Sequence, residues 1–167
     1  MSFSFGEGRF LQIPKNEQLE ILEIIQNFGK NVLEYSEDWV YIASIFQKDK
    51  NTSIKICSYS SGLGIEDDIY LRFGRYGYDN RFEKKIVVAR IGFKKQENGF
   101  GTTLLKTLCE IGERYNYISL HIEQPNPGCK IFMHKIGFEK DNYLSIAKLK
   151  ESIEQYERRK RIEHYTT

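Results

Sequence analysis

The spacing of apolar residues changes its period several times along the chain, and each change predicts a new element. From Asn16 to about Tyr35 apolar side chains recur every three or four positions, which predicts an amphipathic helix. The following stretch is rich in β-branched and aromatic residues, and short turn-like segments interrupt it. It predicts strands at Trp39–Phe46, Ser53–Ser60, Asp68–Tyr76 and Lys84–Phe93. Because the connections are short, we expect these strands to form an antiparallel meander.

Helical spacing returns after the last of these strands. Apolar residues line one face of a predicted helix from about Gly99 to Tyr115, and the next strand is predicted at Tyr117–Gln124. The tail from about Leu144 has helical spacing again. The chain shows no internal repeat and no flexible linker, so the sequence predicts a single α+β domain over residues 1–167.

The segment between that strand and the tail carries the end signals of a compact helix. Asn126 suits the N-cap position, Pro127 the first helical position, and Gly137 the left-handed position after the last turn. The predicted apolar face of this helix consists of Cys129, Phe132, Met133 and Ile136.

Composition narrows the class of protein. Apolar residues make up 40%, charged residues 29%, and the formal net charge is +2, which is typical of a globular chain and predicts no nucleic-acid partner. The three cysteines are widely spaced and include no Cys-x-x-Cys pair, which argues against a disulfide framework or zinc knuckle and for a reducing compartment. No signal peptide or membrane-length apolar run is visible, so we expect a cytoplasmic location and no membrane partner.

The glycine-containing segment QENGFG, residues 96–101, lies between the fourth predicted strand and the following helix. Two glycines before a helix can form an ordinary turn, or they can let backbone N–H groups converge on a phosphate beside the positive end of the helix. The segment is not a P-loop, and Leu104 stands where the dinucleotide fingerprint has its third glycine. The glycines alone leave both interpretations open.

The order Q-x-x-G-x-G, helix, strand and then N-x-x-C-x-x-F-M-x-K-x-G-F resembles the Gcn5-related N-acetyltransferase (GNAT) family. The resemblance covers about Lys85 to Phe138. It implies an acyl-CoA N-acyltransferase fold with a mixed, mostly antiparallel central sheet flanked by helices. It also divides the chain into an acceptor-side half (1–84), an acetyl-CoA-binding half (85–138) and a C-terminal segment (139–167). The matching positions are Ile91, Gln96, Gly99, Gly101, Asn126, Phe132, Lys135, Gly137 and Phe138.

The resemblance implies acetyl-CoA as the co-substrate and no metal. The loop and the start of the helix would bind the pyrophosphate, the end of the preceding strand would pair with the pantetheine arm, and Asn126 would bind the same arm. Phe132 and Met133 would wall the thioester. A plain helix cap for Asn126 and core packing for Phe132 and Met133 are the alternatives. The implied cofactor-binding residues are Ile91, Gly92, Phe93, Gln96, Glu97, Asn98, Gly99, Phe100, Gly101, Thr102, Asn126, Phe132 and Met133.

Acetyl transfer to an amine requires a proton acceptor, and many relatives have a proton-donating Tyr where this chain has Met133. The Glu that some relatives carry on the strand before the loop is matched by Lys85, and the Glu that others carry on the next strand is matched by His121. A histidine titrates near neutral pH, so His121 is the predicted base. Glu123 shares its face by strand alternation and could orient it or bind an amine. An inert, hydrogen-bonded His121 is the alternative.

The sequence therefore predicts an N-acetyltransferase that moves an acetyl group from acetyl-CoA to a primary amine in a ternary complex. The acceptor, a small molecule or peptide, is not identified. The alternative is a catalytically silent acyl-CoA-binding or interaction protein on the same fold. Three weaker candidates remain. They are a low-pKa thiol at Cys129, against simple packing, and an amine-attracting acidic loop at Glu66–Asp68, against a turn. The third is a nucleic-acid contact by the basic cluster Glu157–Arg161, against a solvated helix face. The helical tail leaves a homodimer open.

Overall fold

The computed structural model of the chain describes residues 13–34, 44–48, 51–60, 64–76, 83–95 and 98–165. These residues form an α+β fold, as the sequence predicts. In chain order the elements are α1 (Lys15–Asn31), β1 (Ser44–Lys48), β2 (Asn51–Ser60), β3 (Gly64–Tyr76), β4 (Glu83–Gly92), α2 (Phe100–Tyr115), β5 (Ser119–Ile122), α3 (Pro127–Ile136), β6 (Tyr143–Ser145) and α4 (Ile146–Tyr165).

The strands of the described segments form one mixed sheet whose spatial order follows the chain, β1 to β6. The first four strands pair antiparallel, which confirms the predicted meander. After β4, helix α2 carries the chain across to β5, which runs parallel to β4, and β6 then pairs antiparallel with β5. Among the described strands, the single parallel pair lies where the hairpin connections end and a helical crossover begins.

Helices cover the sheet face that carries the hydrophobic core. Alternate strand residues on this face, such as Ile86 and Val88 on β4 and Leu120 and Ile122 on β5, are buried against apolar residues of the helices. The helix residues of this core include Ile21, Ile25 and Phe28 of α1, Leu104, Leu105, Leu108 and Ile111 of α2, Met133 and Ile136 of α3, and Leu149 and Ile153 of α4.

Several predicted boundaries differ from the structure, among them the start of β3 and both ends of β5. β3 begins at Gly64, because its pairing with β2 continues past an irregularity near Cys57 as far as the Ser60–Gly64 pair. The acidic residues of Glu66–Asp68 therefore lie within a strand, and the prediction of a loop there was wrong. β5 is shorter than predicted, because Tyr117 bonds back to the end of α2 and Gln124 has a positive φ of 42°. The first part of the predicted strand Trp39–Phe46 lies outside the described residues.

The predicted ends of α3 are confirmed. The Asn126 side chain accepts a hydrogen bond from the Cys129 N–H at 2.8 Å, and Pro127 occupies the first turn. Gly137 has a φ of 110°, and its N–H group bonds to the carbonyls of Met133 and His134. Residues close in sequence thus provide hydrogen bonds to backbone groups at both ends of the helix.

The predicted helical tail is also confirmed, after a strand of only three residues. α4 packs against α2 and α3 with Leu149 and Ile153 buried. The close approach to α2 depends on Gly112, because a Cβ there would stand 2.7 Å from Ile146 Cδ1. Among the described residues, no helix combines the length and apolarity that crossing a membrane requires.

Candidate functional site

The parallel strands β4 and β5 pair over four residues and then separate. Their last register pair is Val88–Ile122, followed by a hydrogen bond from the Glu123 N–H to the Val88 carbonyl at 2.9 Å. β4 continues to Gly92 alongside β3, whereas the chain after β5 turns away at Gln124. β4 also carries an extra residue, Ala89, at a bulge in its pairing with β3. The result is a V-shaped opening whose vertex is the Glu123–Val88 bond.

A cavity of about 180 Å³ occupies this opening, which we call the fork cleft. In the described part of the chain no strand pairs with the free edge of β4 beyond Val88. Unpaired strand backbone can accept an extended ligand as an added strand. A cavity of this volume is smaller than a typical pocket for a whole ligand, so it would hold only part of one. Its lining residues are Asp68, Val88, Arg90, Ile91, Gly92, Ile122, Glu123, Gln124, Pro125, Asn126 and Cys129.

The N-terminus of α2 follows the open end of this cleft along the chain. Gly99 is the N-cap residue with φ 75° and ψ 4°, a left-handed conformation in which glycine carries no steric penalty. No described side chain caps this end of the helix, and its first turn contains no acidic residue. The first N–H groups of the helix and its dipole therefore favour an anion here.

Two contacts fix the connection between β4 and α2. The Lys94 N–H donates to Asp67 Oδ1 of β3 at 2.9 Å. The rings of Phe93 and Phe100 meet edge to face with centroids 5.7 Å apart. These contacts bind the start of α2 to the end of the cleft wall. Gln96 and Glu97, both predicted to bind the cofactor, lie outside the described residues.

Gly101 has a different role from Gly99. A Cβ at Gly101 would stand 3.0 Å from Phe132 Cζ, so the missing side chain makes room for that ring against the start of α2. Met133, the neighbour of Phe132, is buried in the core. Neither Phe132 nor Met133 lines the fork cleft. Met133 lies in the hydrophobic core and Phe132 packs against it, as in the packing alternative.

His121 lies on the sheet face opposite the helix-covered core and is 8% exposed. Its Nε2 is 3.1 Å from Ser119 Oγ, and its ring stacks on Tyr143 with centroids 4.9 Å apart. It is not a lining residue of the fork cleft. Lys85 stands on the same face, one alternation from Val87, and is also buried. Three buried polar side chains thus lie on this face of the sheet, those of Lys85, Ser119 and His121.

Charged side chains at the cleft form cross-strand pairs. Glu123 pairs with Arg72 of β3, and Asp68 pairs with Arg90 of β4 at 3.2 Å. Sequence reasoning missed Arg72. Its signal was the alternation of Asp68, Tyr70 and Arg72, which places three polar or aromatic side chains on one strand face.

Cys129 lines the cleft at the start of α3. Burial raises the pKa of its thiol, so the thiol is protonated near neutral pH. The hypothesis of a low-pKa thiol at this helix start was wrong, because desolvation is the largest influence on the group. The remaining cofactor-binding predictions are divided: Ile91, Gly92 and Asn126 line the cleft, whereas Phe93, Asn98, Phe100 and Thr102 belong to the connection and the first turn of α2.

The cap at Asn126 gives a testable expectation. Asn126→Ala removes the acceptor for the Cys129 N–H and should lower the free energy of unfolding by about 1 kcal/mol. Asn126→Asp retains the acceptor and should stay close to the wild type. Urea unfolding followed by circular dichroism measures both. Equal stability of the Ala variant and the wild type would show that this cap contributes nothing.

The sequence was compared with protein-family models and with curated proteins, and neither comparison found a match.

Proposed function

We propose that the chain is an N-acetyltransferase of the GNAT type that uses acetyl-CoA to acetylate a primary amine. The observation that carries the proposal is the fork between β4 and β5, whose open end is followed by the uncapped N-terminus of α2. The motif resemblance over the segment from Lys85 to Phe138 also supports acetyl-CoA as the cofactor. Both observations support the proposal of one ligand class, an acyl thioester with a long extended arm and a pyrophosphate.

The cofactor would lie along the cleft in one direction. Its pyrophosphate would sit on the first N–H groups of α2, from Gly99 to Thr102, where the helix dipole favours an anion. Its pantetheine arm would pair with the free edge of β4 at Arg90–Gly92. Because α2 begins beyond the open end of the fork, the acyl end would point toward the vertex at Glu123 and Val88.

The reaction is direct attack. An ammonium acceptor first loses one proton, which passes through water to His121, and the neutral nitrogen attacks the thioester carbonyl carbon. The C–S bond then breaks, the second nitrogen proton passes to the thiolate, and an N-substituted acetamide and CoA leave. His121 is the proposed proton acceptor, reached through water because its ring is 8% exposed. Because Met133 has no proton to donate, the thiolate takes its proton from the attacking nitrogen and not from a side chain at position 133.

Two observations favour the silent acyl-CoA-binding protein as a second candidate. Met133 is buried in the core, and His121 Nε2 already lies 3.1 Å from Ser119 Oγ. A chain with these features could hold the thioester without turning it over. The two candidates share the cleft and differ only in chemistry.

Release of thiol from acetyl-CoA across a panel of primary amines separates the two candidates. The transferase hypothesis predicts release above the uncatalysed rate with at least one amine. It also predicts that His121→Gln slows release, while His134→Gln on the exposed face of α3 does not. Binding of acetyl-CoA with no release from any amine would favour the silent protein instead.

A further inference from the structure

Arg72 reaches across the sheet to the vertex of the fork. The register aligns Arg72 of β3 with Val87 of β4, and Val87 with His121 of β5. All three lie on the face opposite the helix-covered core, and Val87 is fully buried. The Arg72 guanidinium passes over β4 to pair with Glu123, just beyond the end of β5.

Glu123 is fixed on both of its sides. Its N–H makes the last bond between the two strands, to the Val88 carbonyl, and the next residue, Gln124, turns the chain away with a φ of 42°. Its carboxylate is held by Arg72, lines the cleft and remains 34% exposed. A carboxylate can accept from several donors, and the exposed part of this one faces the cleft, where a second cation can reach it.

We propose that Arg72 is a positioning residue for the acceptor: it holds the Glu123 carboxylate at the vertex, where that carboxylate binds the ammonium group of a cationic primary amine. The inference rests on the proposed function, because the acyl end of the cofactor reaches the vertex only in that arrangement. Charge-assisted hydrogen bonds of this kind give both attraction and orientation. Glu123 releases the amine when the ammonium group loses a proton. The Arg72 contact then holds the Glu123 carboxylate at the vertex.

Steady-state thiol release, with the amine on which the wild type is most active, tests the inference. Arg72→Met and Glu123→Gln should each raise the KM for the amine about tenfold, the effect of losing one charge-assisted contact. The KM for acetyl-CoA should not change. Arg72→Lys should restore most of the loss. Arg75→Met, which removes an exposed arginine of the same strand outside the cleft, should match the wild type.

The double variant Arg72→Met/Glu123→Gln decides whether Arg72 acts through Glu123. We expect it to resemble Glu123→Gln alone, whereas independent roles would multiply the two effects. An unchanged amine KM in Arg72→Met, or an equal rise of both KM values, would overturn the inference and leave the proposed function standing. A wild type silent toward every amine would overturn both. Thermal unfolding shows whether each variant folds. If Arg72→Met does not fold, the amine KM values of the single variants Glu123→Gln and Arg72→Lys decide the outcome.

Discussion

Glu17→Ala is expected to lower the free energy of unfolding by about 3 kcal/mol, the cost of breaking a largely buried ion pair. Glu17 lies in the first turn of α1 and is almost fully buried. Its carboxylate accepts from Lys84 Nζ at 2.7 Å and from the Tyr117 hydroxyl at 2.8 Å. Lys84 also donates to the Tyr115 carbonyl at 2.7 Å, so one cluster joins α1, β4 and the end of α2. The alanine leaves the Lys84 charge without its carboxylate partner.

Urea unfolding of two further variants identifies the cause. Glu20→Gln alters the neighbouring exposed carboxylate that accepts from Tyr115, and it should cost less than about 1 kcal/mol. Glu17→Leu/Lys84→Met removes both charges and should recover much of the loss, because paired apolar replacements avoid a stranded charge. A Glu17→Ala cost no larger than that of Glu20→Gln would contradict the account of this cluster.

Gly112→Ala has the second largest expected effect, a net destabilisation of about 1–2 kcal/mol from overpacking. In an exposed helix the same change would stabilise by about 1 kcal/mol. Here the added Cβ would stand 2.7 Å, 2.9 Å and 3.0 Å from three carbons of Ile146 on α4. The crowding therefore outweighs the gain in helix propensity, and α4 must move away from α2.

Ile146→Val supplies the matched test, because it removes Cδ1, the atom that the new methyl group would approach most closely. We expect Gly112→Ala to cost less in the Ile146→Val background than in the wild type when the stability of all four proteins is measured by denaturant unfolding. Equal costs in the two backgrounds would mean that Ile146 does not limit the approach of the helices.

The sequence predicted well those elements whose ends are determined by neighbouring residues. The ends of α3 follow from Asn126, Pro127 and Gly137, each of which acts on its own neighbours, and the structure has them as expected. The period of two through the meander gave β2 to β4 within a few residues. The start of β3 was missed because it depends on pairing with β2. The residue types in Glu66–Asp68 do not indicate that pairing.

The buried cluster around Glu17 and the candidate site were less predictable, since contacts distant in sequence define both. Glu17 looks like a solvent-facing residue of α1, yet its partners lie 67 and 100 positions away. The stacking of His121 on Tyr143 depends on the pairing of β5 with the short strand β6. Arg72 of β3 pairs with Glu123 of the cleft across the intervening strand β4, and the pattern along one strand does not contain that information.

Binding of acetyl-CoA tests the central claim most directly, and α2 offers matched variants at its two ends. Asn98→Asp adds a negative charge just before the Gly99 N-cap, where it should favour the helix but repel a pyrophosphate. Asn116→Asp makes the same change at the left-handed C-cap of the same helix. By isothermal titration calorimetry, we expect the wild type and Asn116→Asp to bind acetyl-CoA alike and Asn98→Asp to bind it more weakly. A folded wild type that does not bind acetyl-CoA, or equal binding by all three proteins, would contradict the account.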